Sequence, residues 1–224
     1  MGQFVSATVV FLAGVSISTA STVFSNFSAA PPGYVTDSYE MKLQSGFFGT
    51  QDIQWAMGFT VPSGSDFQFT GFIVPLTFSG TATTVDFTLA SDADGTPGSA
   101  LETIAVDLSN GTALYTGSST LDPTLMGGTS YWLEGAISPI DLGTVVDWNA
   151  AAGLFSGLAL GPTADIGTNP FSTNWLVSTA TQAAFEIDGT LLSSVPEPRY
   201  GWLLVFGCLL AAATLRSRVI SPYR

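Results

Sequence analysis

Residues 85–108 read VDFTLASDADGTPGSALETIAVDL, and the fold follows from them. Val85, Phe87 and Leu89 alternate with Asp86 and Thr88; Ile104, Val106 and Leu108 alternate with Ala105 and Asp107. A period of two puts successive side chains on opposite faces of an extended chain, so each window is a strand with one face buried. Asp92-Ala93-Asp94-Gly95 stands between them, a cluster of the residues that turns favour.

The same period recurs outward from this point. It appears in Phe72, Val74, Leu76 and Phe78, in Tyr131, Leu133 and Gly135 against Trp132 and Glu134, and in Phe185 and Ile187 against Glu186 and Asp188. Leu154, Leu158 and Leu160 form a less regular window, interrupted by Gly157. Pro62-Ser63-Gly64-Ser65, Ser109-Asn110-Gly111 and Gly127-Gly128 punctuate the windows as turns. No stretch before residue 199 keeps a capped 3.6-residue stripe. Seven to nine short strands with such punctuation predict an all-β fold, an antiparallel β-sandwich. Residues 21–52, rich in Ser, Gly and Pro with scattered aromatics, show no period and are expected to be a lead-in segment.

Charge narrows the function. The chain carries 17 acidic and 5 basic residues, and four of the bases (Arg199, Arg216, Arg218, Arg224) follow residue 198. Residues 21–195 hold 16 carboxylates against Lys42 alone, a net charge of −15 that repels a phosphate backbone, so no nucleic-acid partner is expected. The chain has no histidine, which removes the commonest metal ligand and general base and rules out a Ser/His/Asp triad. Its one cysteine, Cys208, lies in a C-terminal apolar run and can form neither an intrachain disulfide nor a thiolate zinc cluster.

Both ends read as targeting segments. The first twenty residues hold a short apolar stretch near residues 9–15 and end in small side chains, the pattern of a secretory signal peptide with cleavage between Ala20 and Ser21. No Lys or Arg precedes the stretch, and the competing reading is a buried first strand or helix. At the other end, two serines and two prolines in residues 193–198 break the last strand and form a stiff linker. Sixteen residues without a charge follow, residues 200–215. As a helix they span about 24 Å, short of the ~30 Å hydrocarbon core but compatible with a thin span. Arg216 and Arg218 come next, so the positive-inside rule leaves the C-terminus in the cytoplasm and the body outside.

Val195-Pro196-Glu197-Pro198, the apolar helix and the arginine cluster, in that order, resemble the tripartite PEP-CTERM sorting signal of bacterial exported proteins. The resemblance covers about residues 195–218. It implies recognition of Pro196, Glu197 and Pro198 by exosortase, a membrane transpeptidase-like enzyme, with the helix, Arg216 and Arg218 as the stop-transfer element. It also implies passage through the inner membrane to the cell surface or extracellular matrix. The span is short, and residues 219–223 extend beyond the arginines, both departures from the pattern. Residues 50–190 resemble the choice-of-anchor R domain through Trp55-Ala56-Met57-Gly58-Phe59-Thr60, the residue 85–89 strand, Asp94-Gly95-Thr96-Pro97-Gly98 and Gly128-Thr129-Ser130-Tyr131-Trp132-Leu133. That resemblance implies a jelly-roll-like sandwich.

Three constellations invite chemistry. Asp92 and Asp94 beside Gly95 resemble half a calcium loop, but Thr103 stands where the loop's last acidic ligand belongs, and a plain hairpin turn is the expected reading. No cofactor is expected beyond loose association of calcium or magnesium with so acidic a body. Trp55, Trp132, Trp148 and Trp175 invite stacking on sugar rings, and burial explains them as well. The candidates are Trp132, which shares its strand face with Glu134 and so is expected to be partly exposed, and Trp148, which lies in a segment able to cross the core. A glycoside hydrolase would need two carboxylates across a cleft, and sixteen acids single out no pair.

The expected organisation is a signal peptide at 1–20, a lead-in at 21–52, a sandwich domain at 53–192 and a Pro-rich linker with the motif at 193–199. A transmembrane helix at 200–215 and a basic tail at 216–224 follow. The expected function is that of an exported, non-catalytic surface or matrix protein processed by an exosortase-type peptidase. A carbohydrate-binding module of the extracellular polysaccharide is the alternative, and a glycoside hydrolase the remote one.

Overall fold

A computed structural model describes residues 20–28, 32–46, 49–80, 84–138, 144–152, 159–161, 163–164, 175–178 and 181–192. Within these the chain is all-β. The strands are β1 (Ser21–Ser25), β2 (Tyr34–Gly46), β3 (Gly49–Ile53), β4 (Trp55–Thr60), β5 (Phe67–Phe78), β6 (Thr84–Asp92), β7 (Pro97–Asp107) and β8 (Gly111–Ser118). There follow β9 (Thr124–Leu125), β10 (Ser130–Ser138), β11 (Val145–Ala151), β12 (Ala159–Gly161), β13 (Thr163–Ala164), β14 (Leu176–Ser178) and β15 (Glu186–Leu191).

They form two antiparallel sheets. The first runs β1-β15-β5-β11-β2-β3-β13, with β8 and β9 also paired to β5; the second runs β14-β12-β4-β10-β6-β7. The long strand β5 organises the first sheet. Its residues 71–73 pair with both β15 and β8, and residues 76–78 pair with both β11 and β8, so β15 and β11 share one edge of β5 and β8 takes the other. Pro75 falls where pairing along the first edge passes from β15 to β11, a place that asks no ladder bond of its nitrogen.

The period-two windows put their apolar members inside. Phe72, Val74, Leu76 and Phe78 from the first sheet and Val85, Phe87, Leu89 and Leu133 from the second belong to one buried cluster. Aromatic side chains join the sheets at its centre. The ring of Phe87 meets Trp148 edge-on at 5.1 Å and lies 5.0 Å from Phe72. Burial of each such side chain contributes roughly 1.5–3 kcal/mol.

Residues 21–52 differ from the expectation of a lead-in. They supply β1, β2 and most of β3, all within the first sheet, and Val23 and Met41 are in the core. β2 sits between β11 and β3, and its alternation is masked by polar residues at successive positions in YVTDSYEMKLQSG. The strands also outnumber the seven to nine expected, because β1, β2 and most of β3 come from the segment read as a lead-in, and β9, β12, β13 and β14 are two or three residues long, too short to carry a period. Of the Leu154 to Leu160 window, residues 154 and 158 lie outside the described residues, and β12 holds Leu160.

Candidate functional site

Each targeting residue was expected at a chain end, and the two ends of the described fold lie together. β1 pairs antiparallel with β15, Ser21 opposite Gly189 and Thr22 opposite Asp188. β15 runs on to Leu191, and the Leu192 N–H donates to Asp66 O at 2.9 Å. The point where the chain enters β1 and the point where it leaves β15 therefore share one end of the first sheet. Ala20 is exposed there, and Ser21 Oγ donates to Gly189 O at 3.2 Å. Val195, Pro196, Glu197 and Pro198 begin three residues beyond Leu192, and they, the span expected at 200–215, Arg216 and Arg218 lie outside the described residues. Among the described residues no helix is long and apolar enough to cross a membrane.

One side chain fixes this end of the fold to the core. Asn26 is fully buried just after β1. Its Nδ2 donates to Ala183 O at 2.8 Å, and its Oδ1 accepts the Phe185 N–H at 2.7 Å. Phe24 adds ring contacts to Phe185 at 4.9 Å and Phe59 at 5.7 Å. The sequence marks none of this, since an asparagine in a Ser-rich run reads as a loop residue.

Asp92 and Asp94 form a turn. Asp94 has φ 54° and Gly95 φ 83°, the two left-handed positions of a tight hairpin in which the Ala93 N–H donates to Thr96 O at 2.7 Å. Asp92 Oδ2 accepts the Gly95 N–H at 3.1 Å, and its Oδ1 accepts the Trp132 indole N–H at 2.8 Å. Both oxygens are thus in use within the fold. No group of three or more acidic or cysteine side chains gathers around a common point among the described residues.

The tryptophans correct the sugar-stacking expectation. Trp148 is 0% exposed at the centre of the core, its indole N–H donating to Ala184 O at 2.9 Å. Trp132 is 2% exposed. It lies on the outer face of the second sheet, across Gly58, where a Cβ would come within 2.8 Å of the ring. Ala56, Ala90 and Trp175 complete a second apolar cluster around it. Neither ring offers a face to a ligand. Glu134 does not mark solvent for Trp132, because it is itself half-buried on this covered face.

Two carboxylates lie in surroundings that the sequence does not show. Glu134, opposite Ala56 and Thr88, has its pKa pushed up to about 7 by burial. Glu102 is buried and turned inward; burial pulls its pKa up, but hydrogen bonds outweigh this and hold it below the usual carboxylate range. It accepts from Ser119 Oγ at 2.5 Å, from the Thr120 N–H at 2.6 Å, from the Leu121 N–H at 3.1 Å and from Thr120 Oγ1 at 3.1 Å, so it closes the turn after β8. The second sheet stands between Glu102 and Glu134, and they cannot act on one bond. On the first sheet, burial and then the neighbouring Glu186 raise Asp188. The cation expected to stand alone in the body, Lys42, pairs with Glu40.

A depression of about 300 Å³ opens on the outer face of the first sheet. Phe27, Pro32, Ile73 and Leu114 give it an apolar lining, and Ser28 and Glu186 add polar groups. Leu114 is 55% exposed within it. No family model, curated protein or solved structure matches the chain.

Proposed function

We propose that this chain is an exported, non-catalytic protein of the cell surface or extracellular matrix, built on a jelly-roll-like sandwich and delivered by a C-terminal sorting tail. In this reading residues 1–20 are removed as a leader, and the 200–215 helix holds the body on the outer side of the inner membrane. An exosortase-type peptidase then recognises Pro196, Glu197 and Pro198. The observation that carries the reading is the order of parts after Leu192: a proline-rich motif, an uncharged run and an arginine cluster. The shared end of β1 and β15 supports it, because a chain attached to one bilayer at both ends needs both to leave the body on the same side.

The test is Glu197→Ala in the native host, followed by membrane fractionation. The variant is expected to remain with the membrane at full length while the parent is processed. Equal processing of both would count against the motif. A second reading, a module that binds a neutral extracellular polysaccharide, is supported by the Phe27 and Leu114 depression rather than by the tryptophans. Retardation on polysaccharide-containing gels that is lost in Phe27→Ala separates it from the first.

A further inference from the structure

The bond expected to be cut at the N-terminus lies where β1 begins. Ser21 is already opposed to Gly189 and Thr22 to Asp188, while Val23 is 6% exposed in the core. A peptidase needs the residues on both sides of its bond free and extended, and a folded strand is cut only through its locally opened form. With β1 in place, the two residues after the bond are committed to β15.

We propose that leader cleavage acts on an undocked β1, and that β1 closed onto β15 withholds the bond from the peptidase. The proposal rests on the reading of residues 1–20 as a leader. Until β1 docks, β15 is the edge strand. The Ala183 carbonyl and Phe185 N–H lack their Asn26 partners, and the Phe24 ring is absent from Phe59 and Phe185. β15 is also the strand that leads to the sorting motif, with Leu191 four residues before Val195.

The test uses the full chain with Cys208→Ala to remove the native thiol, and Thr22→Cys with Asp188→Cys at opposed positions of β1 and β15. The chain is reconstituted in liposomes with a signal peptidase. When oxidised, β1 is locked on β15, and cleavage is expected to be about tenfold or more slower than in the same chain reduced, because only the open form is cut. Equal rates for the oxidised and reduced chains would overturn the proposal. Asn26→Ala, which loosens docking without touching the bond, is expected to speed cleavage of refolded chain and to leave cleavage of chain presented unfolded unchanged. No acceleration of the refolded chain would also count against it. If even the unsubstituted chain presented unfolded stays uncut, the leader reading itself fails and the proposal falls with it, a result distinct from cleavage that ignores the lock.

Discussion

Glu134→Gln is expected to stabilise the folded body above neutral pH and to leave it unchanged in acid. Glu134 projects from β10 onto the outer face of the second sheet beside Trp132, and burial there pushes its carboxyl up to about 7. A carboxyl whose folded pKa lies above its unfolded value leaves stability intact below the unfolded pKa, near 4.3, and costs stability as pH rises to the folded pKa. Each pH unit of that window is worth about 1.4 kcal/mol, and partial exposure screens a share of it, so the charged carboxylate costs the fold about 2 kcal/mol at pH 8. Glutamine keeps the shape and carries no charge. Urea unfolding followed by tryptophan fluorescence, repeated from pH 4 to 8.5, gives the difference between variant and parent. That difference is expected to be near zero at pH 4, to rise through pH 5–7 and to level off, with a melting temperature about 4–8 °C higher at pH 8. Parallel curves at every pH would show that Glu134 is solvated and would refute the reasoning about this covered face.

Asn26→Ala removes both partners of the Ala183 carbonyl and Phe185 N–H contacts, and is expected to cost about 2–5 kcal/mol in urea unfolding. Hydrogen exchange should rise first at Phe185 and along β1. Glu102→Ala takes the acceptor from two backbone donors and two hydroxyls, and is expected to cost about 2–4 kcal/mol. In the parent, the same lowered pKa makes the contribution of Glu102 present above its unfolded value and lost as pH falls through its folded one. The Glu102→Ala penalty should therefore shrink in strong acid, which denaturation at pH 2–3 against pH 6 will measure.

The sequence made readable the strands with one apolar face and left the short or polar ones obscure, wherever they stand in the sheets. β6, β7, β10 and the apolar half of β5 bury one face of a clean period-two pattern, so their residues declare them. β2 is flanked by β11 and β3, yet its residues 36–40, TDSYE, alternate no apolar set. β1 is five residues long, and Asn26, one position after it, makes the buried side-chain bonds that tie this end to Ala183 and Phe185. Asp92 looked like a ligand because a sequence shows the carboxylate and not what it faces, here the Gly95 amide and the Trp132 indole. Trp132 and Glu134 were paired correctly on one face, but whether that face meets water depends on residues brought over it from far along the chain, Trp175 among them. The juxtaposition of chain ends was equally hidden, being a property of sheet order alone.

Intact-mass measurement of the protein released by its native host, compared with a host lacking the sorting peptidase, tests the central claim most directly. The account predicts released chains that begin at Ser21 and have lost residues 200–224 when the peptidase is present, and full-length tails retained with the membrane when it is absent. A released chain carrying Arg224 in both hosts would contradict it.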